Sequence, residues 1–407
     1  MKRVLLKPSP GIKRRDGSDM STLEVRKVTS RRALKKFVEF PFSLYKHNKY
    51  WCPPLTFDEM NTLRKDKNPA FSYCEAEYWM AFRDNQAVGR IAGIINNKEH
   101  ERWHTRLVRF GWIDFVDDPE VSRILIDTVV EWGRSKGMVG IHGPLGFTDM
   151  DFEGMLVEGF EEISGLSVIY NFSYYNDHMQ NLGFSKAADW IQFEVAVPAE
   201  IPDKVERMTR IVLQKYNLHM LNPRKAKEVL PYAPKMFTMY NKAFYDLYGF
   251  TALTQEQMDL YTKQYFGFIR PEFVSMILDS SDEVVGFGVT IPSLSLALQK
   301  AKGSLFPFGF IHLLQALRKN DVVDMYLIGV HPDYQGKGIL ALIYHELNKA
   351  YLKAGIKLAR THPQLEENFK AISICANCSA PFTVATVRIA CSIPPKSARP
   401  PGASCWI

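Results

Sequence analysis

The sequence predicts two α/β domains of one topology, joined near residue 200, and two observations support that prediction. The chain has 407 residues, which is too long for one ordinary hydrophobic core. Its two halves also repeat the same order of strands and helices, as duplicated structural units do. We assign residues 20–200 to the first domain and residues 201–374 to the second.

The first repeated element is a β-hairpin. Residues 77–95 read "EYWMAFRDNQAVGRIAGII", and residues 272–291 read "EFVSMILDSSDEVVGFGVTI". Each segment has an apolar-rich strand, a short polar turn containing Asp, and a second strand that begins with Val-Gly. Two strand-forming runs separated by such a turn indicate a hairpin in each half.

The second repeated element is a strand, a helix and another strand. The first half reads "FGWIDFVDDPEVSRILIDTVVEWGRSKGMVGIHGP", and the second reads "DMYLIGVHPDYQGKGILALIYHELNKAYLKAGIKLARTHP". Apolar residues recur at helical spacing in the middle of both segments. Gly137 and Gly355 follow the two helices, at the place where a left-handed cap favours glycine. Each half is therefore predicted to have a hairpin followed by a crossover, with helices such as "SRRALKKFVEF" before it.

Composition excludes several classes of protein. The formal net charge of +7 suits a phosphorylated ligand, an acidic surface or a nucleic acid equally, but no nucleic-acid-binding motif is present. No apolar run is long enough to span a membrane. The six cysteines are unevenly placed, which favours a reducing cytoplasm over a disulfide framework. We expect residues 1–19 to be a disordered extension.

A glycine-rich turn, "HPDYQGKGIL" at residues 331–340, connects the strand and the helix of the second crossover. Backbone N–H groups at a helix start are unsatisfied, and the helix dipole adds positive charge there. Because Gly336 and Gly338 lack Cβ atoms, a diphosphate can approach the backbone closely. This turn is predicted to bind phosphate.

The same residues carry a family resemblance. "LIGVHPDYQGKGILALIYHEL" resembles the acyl-coenzyme A (acyl-CoA) signature of the GCN5-related N-acetyltransferase superfamily, with Leu340 departing from its last small position. "YNFSYYNDHMQNLGFSKAADWIQFEV" in the first half resembles the helix and strand pair that close such a domain. Across residues 20–374 the chain resembles a bacterial group of tandem acetyltransferase-like proteins, which also shows blocks like "HGPLGFTDMDFEGMLVEGF".

The resemblance implies that each domain is a mixed, mostly antiparallel sheet flanked by helices. It also implies a cytoplasmic N-acyltransferase that moves an acetyl or longer acyl group from acetyl-CoA or acyl-CoA directly to an amine on a small molecule or peptide. The pantetheine arm is expected to lie along the strand "MYLIGV". The predicted coenzyme contacts are Ile328, Val330, Gln335, Gly336, Lys337, Gly338, Ile339 and Asn368.

The first domain lacks such a turn. Its crossover reads "DFVDDPEV", which offers Asp117, Asp118 and Glu120 where phosphates would lie. Because like charges repel, we expect the first domain not to bind the coenzyme.

The catalytic residues are less defined by the sequence. Acyl transfer to an amine needs a base for the amine and an acid for the departing thiolate. The candidate bases are Asp324, His331, His362 and Glu366. Asp324 is favoured because it begins the strand along which the coenzyme is expected to lie. The superfamily implies a tyrosine acid after the fifth strand, but Cys375 occupies that position. Tyr174 or Tyr175 of the first domain is an alternative donor. We name Asp324, His362 and Tyr175 as candidate catalytic residues.

An apolar insert precedes the coenzyme strand at residues 293–321, "SLSLALQKAKGSLFPFGFIHLLQALRKND". The favoured interpretation is a helix that packs between the domains. The alternatives are a wall for a long acyl chain or a contact with a membrane surface through residues 303–318.

Residues 375–407 form an atypical tail, since no Asp or Glu occurs after Glu367. We expect this tail to be poorly ordered. Its four cysteines include a single Cys-x-x-Cys pair, and structural zinc sites usually have two close pairs, so no metal is predicted. The tail favours one rival hypothesis, an inactive or regulatory coenzyme-binding protein. Another rival, an aminoacyl-tRNA-dependent transferase of the peptidoglycan-bridge type, is disfavoured by the intact turn.

Overall fold

The computed structural model describes residues 22–165, 168–368 and 382–393, the last of these as backbone only. Residues 1–19 and Cys375 lie outside the described residues, so the expectations about them stay predictions. The helices are α1 Arg31–Leu44, α2 Thr56–Thr62, α3 Asn97–Trp103, α4 Pro119–Ser135, α5 Tyr174–Asn181, α6 Asp203–Lys215, α7 Ala233–Ala243, α8 Gln255–Tyr265, α9 Ser295–Ala301, α10 Gly309–Arg318 and α11 Ile339–Ala354.

The strands form two sheets. They are β1 Leu23–Lys27, β2 Cys74–Arg83, β3 Gln86–Asn96, β4 Leu107–Phe115, β5 Gly140–His142, β6 Met155–Glu158, β7 Ser185–Ala196, β8 His219–Leu221, β9 Val274–Leu278, β10 Val284–Pro292, β11 Val322–Val330, β12 Leu358–Arg360, β13 Gln364–Leu365 and β14 Phe382–Ile393.

The first sheet has the strand order β1-β2-β3-β4-β5. Its first four strands are antiparallel, and β5 joins β4 in parallel through the crossover helix α4. Apolar side chains of α4, such as Val121, Leu125 and Val129, are buried against one face of the sheet. Helix α1 covers the other face through Phe37 and Val38. The predicted hairpin and crossover of the first half are thus confirmed.

The second sheet has the order β6-β14-β7-β12-β11-β10-β9-β8. It repeats the plan of the first, because β9, β10 and β11 are antiparallel and β12 joins β11 in parallel through α11. Helix α11 buries Ile343, Leu347 and Tyr351 on one face, while α7 buries Phe237 and Tyr240 on the other. The predicted fold class, two mixed and mostly antiparallel sheets flanked by helices, is confirmed.

The second sheet contains strands from both halves of the chain. Strand β7 precedes residue 200, yet it pairs with β12, with Ala196 opposite Leu358. Strand β14, which lies in the predicted tail, pairs with β7 and with β6. The halves repeat in sequence, but the sheets do not divide at the predicted boundary.

The apolar insert forms α9 and α10 at the junction of the halves. Leu298 and Leu313 are buried in a cluster that also contains Cys52 and Leu55 of the first half. The backbone N–H of Thr56 donates to the Gly303 carbonyl at 2.9 Å. None of the helices in the described ranges combines the length and the apolar character that a membrane span requires.

Candidate active site

A cavity of about 650 Å³ lies where the two halves meet. The second half contributes the end of β11, the glycine turn, and residues 361–365 after β12. The first half contributes residues 54–62 and 149–152. The cavity therefore joins the predicted coenzyme site to parts of the first half that the sequence did not single out.

The floor of the cavity is a split between two parallel strands. Strands β11 and β12 pair from Val322 to Asp324 and then separate. Residues 325–330 line one side of the gap, and residues 361–365 line the other. The pairing of β10 with β11 also shifts at this point, leaving Tyr326 as an extra residue opposite β10. Such a bulge redirects side chains, and Tyr326 lines the cavity.

The glycine turn has the conformation that its sequence requires. Gly336 and Gly338 have φ angles of 74° and 86°, in the left-handed region that favours glycine. A Cβ atom at Gly336 would meet nothing within 4 Å, so its surroundings are open. Helix α11 begins at Ile339 without a side-chain cap. Its first N–H groups are therefore available to an anion.

Most of the predicted coenzyme contacts meet at this cavity. Lys337 is the exception, since its Nζ lies 5.3 Å from the Tyr216 ring centroid and 5.0 Å from that of Tyr334. The predicted contacts that line the cavity are Ile328, Val330, Gln335, Gly336, Gly338, Ile339 and Asn368.

His362 also lines the cavity, directly beyond the point where the strands separate. Its Nδ1 lies 3.1 Å from the Pro363 carbonyl oxygen, which can only accept a hydrogen bond. In the neutral ring the proton is therefore on Nδ1, and Nε2 carries the free lone pair. Burial lowers the pKa of His362 below its usual value, which favours this neutral form.

Asp324 lies at the base of the split but does not line the cavity. It is opposite Arg360 in the sheet register, and its Oδ1 is buried without a hydrogen-bond partner among the described residues. Burial raises the pKa of Asp324 to about 6, and the charge of Arg360 opposes that shift.

Tyr175 lies in the core of the first half, away from the cavity. Its hydroxyl is 3.0 Å from that of Tyr45 and accepts the backbone N–H of Phe115 at 3.1 Å. The structure thus places His362 in the same cavity as the glycine turn, Asp324 at the base of the split between β11 and β12, and Tyr175 elsewhere.

Tyr326 is a polar group that the sequence did not reveal as a candidate, because it stands inside the apolar run "MYLIGV". Its ring centroid lies 6.4 Å from that of His362. Burial, reinforced by the neighbouring Tyr265, raises the pKa of Tyr326 well above its usual value. The phenol therefore stays protonated at neutral pH and is able to donate a proton.

Four carboxyl groups of the first half were also missed, although the block "FTDMDFEGM" contains two of them. Those that line the cavity are Asp58, Glu59, Asp149 and Asp151. No Lys or Arg is among the described residues that line it. Because burial is the main cause, the pKa of Asp149 is raised to about 6 and that of Asp151 to about 7.

Comparisons with known proteins agree with this architecture. No protein-family model matches the sequence. Protein YghO of Escherichia coli is 28% identical over 354 residues, covering 84% of this chain and 89% of its own length. The bacterial ceramide synthase of Caulobacter vibrioides is 26% identical over 327 residues, covering 78% of this chain and 82% of its own length.

Among solved structures, the chain is similar to a tandem GNAT protein from the clavulanic acid biosynthesis pathway. The TM-score is 0.50 at 11% sequence identity, and the match covers 91% of this chain and 98% of the other. At that identity the likeness establishes the fold alone.

Proposed function

Since the chain has the tandem fold of the GCN5-related N-acetyltransferases, we propose that it is an acyl-CoA-dependent N-acyltransferase, which moves an acyl group directly to an amine. The observation that carries the proposal is a single cavity in which the uncapped start of α11, the split between β11 and β12, and His362 meet. A phosphate site, a slot for an extended arm and a neutral base are the parts that such a transfer needs.

The second half would bind the donor. The diphosphate of the coenzyme would accept hydrogen bonds from backbone N–H groups at the start of α11, where Gly336 and Gly338 leave room for it. The pantetheine arm would lie along β11, whose backbone groups beyond Asp324 no longer pair with β12. This arrangement leads the thioester into the split.

His362 and Tyr326 would carry the protons. The amine nitrogen attacks the thioester carbon, a C–N bond forms, and the C–S bond breaks. His362 Nε2 takes the proton that the amine loses, and the Tyr326 hydroxyl gives a proton to the departing thiolate. His362 then returns its proton to Tyr326 through solvent, so the pair ends as it began. Asp324 and Tyr175, the other two predicted catalytic residues, are compared with His362 by substitution below.

The cavity favours a long acyl chain over an acetyl group. Leu294, Leu298 and Leu313 of the insert line it, and they are buried together in one apolar cluster. Burial of methylene groups contributes roughly 0.8 kcal/mol each, so a chain of several carbons gains substantially from such a wall. The name of the Caulobacter relative supports the same proposal, because a ceramide is the amide of a long-chain acid and a long-chain amino alcohol.

The outer surface of the insert would contact an anionic bilayer. Phe306 and Phe308 are 77% and 68% exposed, and Leu314 on the next turn is exposed as well. Residues 284–320 contain no Asp or Glu but do contain basic residues, so their charge complements anionic lipid. The basic residues are Lys300, Lys302, Arg318 and Lys319.

A sedimentation assay tests the contact with phosphatidylglycerol and phosphatidylcholine vesicles. The double change Phe306→Ser and Phe308→Ser should reduce binding to the anionic vesicles severalfold. Phe57→Ser is the matched control, since Phe57 is 72% exposed on the first half. Equal binding of both vesicle types, or no effect of the double change, would contradict the contact.

Calorimetric titration with acetyl-CoA and decanoyl-CoA tests the main proposal, followed by an assay of thiol release with a primary amine. We expect both thioesters to bind, decanoyl-CoA more tightly, and the thiol to appear only when the amine is present. Failure of both thioesters to bind would overturn the proposal. Binding without amine-dependent release would instead favour the inactive coenzyme-binding protein.

A further inference from the structure

The carboxyl groups of the cavity lie opposite the coenzyme turn and come from the first half alone. Asp58 and Glu59 are in α2, while Asp149 and Asp151 are in the segment between β5 and β6. An enclosed carboxylate is costly unless a cation or several hydrogen bonds accompany it. Here four carboxyl groups share a cavity without a described Lys or Arg in its wall. This wall is suited to a ligand that brings positive charge.

Internal hydrogen bonds account for two of the four groups. Asp151 Oδ2 accepts the backbone N–H groups of Phe147 and Thr148, at 2.8 and 3.2 Å. Glu59 accepts the indole N–H of Trp112 at 2.7 Å. These bonds fix the two carboxyl groups in place and help to hold the segment that carries them.

Asp149 is different, because one of its oxygens is unpartnered. Its Oδ2 accepts the hydroxyl of Tyr240 from α7, but its Oδ1 is buried with no hydrogen-bond partner among the described residues. A buried polar atom without a partner is costly, so this oxygen is suited to a ligand that donates a hydrogen bond.

The buried guanidinium of Arg109 does not fill this role. Arg109 donates through Nε to Glu99 at 2.8 Å, through Nη1 to the Gly146 carbonyl at 2.9 Å, and through Nη2 to the Gly249 carbonyl at 2.9 Å. Its charge favours ionised Asp149, but its donors are directed at other partners, so it leaves Asp149 Oδ1 without a hydrogen bond.

A metal ion fits the wall less well than an organic cation. Within the described residues, no three His, Cys, Asp or Glu side chains come close enough together to hold a metal. An ammonium group makes fewer geometric demands, since it has up to three N–H donors and one carboxylate with nearby acids suffices. The apolar lining beside the acids, including Leu55 and Leu298, suits a hydrocarbon chain attached to that ammonium.

We propose that Asp149, supported by Asp151, binds the ammonium group of the acceptor, a primary amine that carries a long apolar chain. The ammonium releases one proton to solvent before its nitrogen attacks, and His362 takes the proton that the nitrogen loses on forming the amide. The first half would then be the acceptor-binding half of the enzyme. The position fits transfer, because Met150, which adjoins Asp149, packs against the cluster that contains Tyr326. This inference rests on the proposed function for its meaning, but the binding it describes can be measured alone.

Proton release offers a second readout. Asp149 is faced by Tyr240 from α7, by Arg109 from β4, and by Asp151 and Glu153 from its own segment. Because burial raises the pKa of Asp149 to about 6, part of the population is protonated near that pH. A bound ammonium favours the charged carboxylate and expels that proton. Titration at pH 6 in two buffers of different ionisation enthalpy should therefore show net proton release on amine binding.

The test compares decylamine with decanol by calorimetry, with and without coenzyme A. We expect decylamine to bind the wild-type chain at least tenfold more tightly than decanol. Asp149→Asn should weaken the binding of decylamine at least tenfold while leaving the affinity for decanol unchanged. Asp151→Asn should weaken the binding of decylamine by a smaller factor. Asp189→Asn is the matched control, because Asp189 is a buried acid whose Oδ1 also lacks a described partner but which does not line the cavity, and it should change either affinity by less than about threefold.

The outcomes separate this proposal from the proposed function. The urea unfolding midpoint serves as the folding control for each variant. Equal affinities for the amine and the alcohol, or an Asp149→Asn chain that binds decylamine normally, would overturn the ammonium site even if acyl-CoA binds. If decylamine behaves as expected but acyl-CoA fails to bind, the ammonium site stands and the transferase is overturned.

Discussion

The two crossovers of the chain have one topology, but the N-terminus of the helix is capped by a side chain in the first and not in the second. Helix α4 of the first half begins at an N-cap Asp118, whose carboxylate accepts the backbone N–H of Glu120 at 2.9 Å. Helix α11 of the second half begins at an uncapped Gly338. A side chain thus accepts a hydrogen bond from a backbone N–H group at the start of α4, whereas no side chain does so at the start of α11. A shared fold therefore does not imply a shared ligand, because the side chains at the helix start decide whether an anion can approach.

The charge around the two helix starts strengthens the contrast. Arg83 pairs with both Asp118 and Glu120, which completes a closed ionic cluster at the start of α4. Among the described residues, a Cβ atom at Gly336 would meet nothing within 4 Å, and one at Gly338 would meet only the apolar side chain of Val212. We interpret the duplication as a division of labour, in which the second half holds the donor and the first half holds the acceptor.

The largest expected effect concerns the base. If His362 accepts the proton, His362→Gln should lower kcat by about a hundredfold to ten-thousandfold, with acyl-CoA affinity retained. Asp324→Asn and Tyr175→Phe should have smaller effects, since neither residue lines the cavity. Steady-state kinetics beside coenzyme titration of each variant checks this. A larger loss in either of those variants would return the role of base or acid to it.

The assignment of His362 as the base also predicts how activity depends on pH. Because burial lowers the pKa of His362 below its usual value, the neutral ring should persist down to mildly acidic pH. Activity should thus be lost only as pH falls through that lowered pKa. Between that pKa and pH 7, titration of His362 should not change the activity. An acidic limb near or above pH 7 would contradict the assignment, as would an unchanged limb in His362→Gln.

The second effect concerns the junction of the halves. Arg109 is fully buried, pairs with Glu99 and holds loops of both halves through the Gly146 and Gly249 carbonyls. Arg109→Met should lower the free energy of unfolding by about 3–5 kcal/mol, because Glu99 would remain as an uncompensated buried charge. Urea unfolding measures the change. Arg83→Met, at a partly exposed pair of the first half, is the control and should cost less than about 1 kcal/mol.

The third effect tests the open helix start directly. Gly338→Val should weaken the binding of acyl-CoA about a hundredfold. A branched side chain would block access to the backbone N–H groups and would be strained at a positive φ. Gly355→Val is the matched control, because Gly355 has a φ of 75° at the other end of the same helix. It should cause similar strain without loss of binding. Equal loss in both variants would mean that strain alone explains the result.

The smallest effect tests the closed helix start. Asp118→Ala removes the cap of α4 and should destabilise the chain by about 1 kcal/mol in urea unfolding. It should not create a second coenzyme site, because Glu120 remains beside the helix start. Two equivalents of acyl-CoA bound by the variant would break the comparison, since the cap alone would then have separated the two halves.

Local patterns in the sequence were sufficient for the fold class. Hairpins, crossovers and the left-handed glycines Gly137 and Gly355 depend on neighbouring residues, and they were predicted from them. The site was harder to predict because its members are distant in sequence. The proximity of Tyr326 to His362 follows from a strand bulge, and Asp149 reaches the cavity through long-range packing. Tyr175 was a reasonable candidate by residue type. No local sequence pattern indicates that its hydroxyl is hydrogen-bonded to Tyr45 and to the Phe115 backbone inside the core.

The pairing of β7 with β12 has a consequence for anyone who divides this chain. A cut near residue 200 would take β7 from the second sheet and leave β12 as an unpaired edge beside the coenzyme strand. Exposed edges of this kind recruit other strands, so a separated second half would be prone to self-association. The halves are duplicated in plan but share one sheet, and variants of this chain are better designed by exchanging loops than by cutting between its repeats.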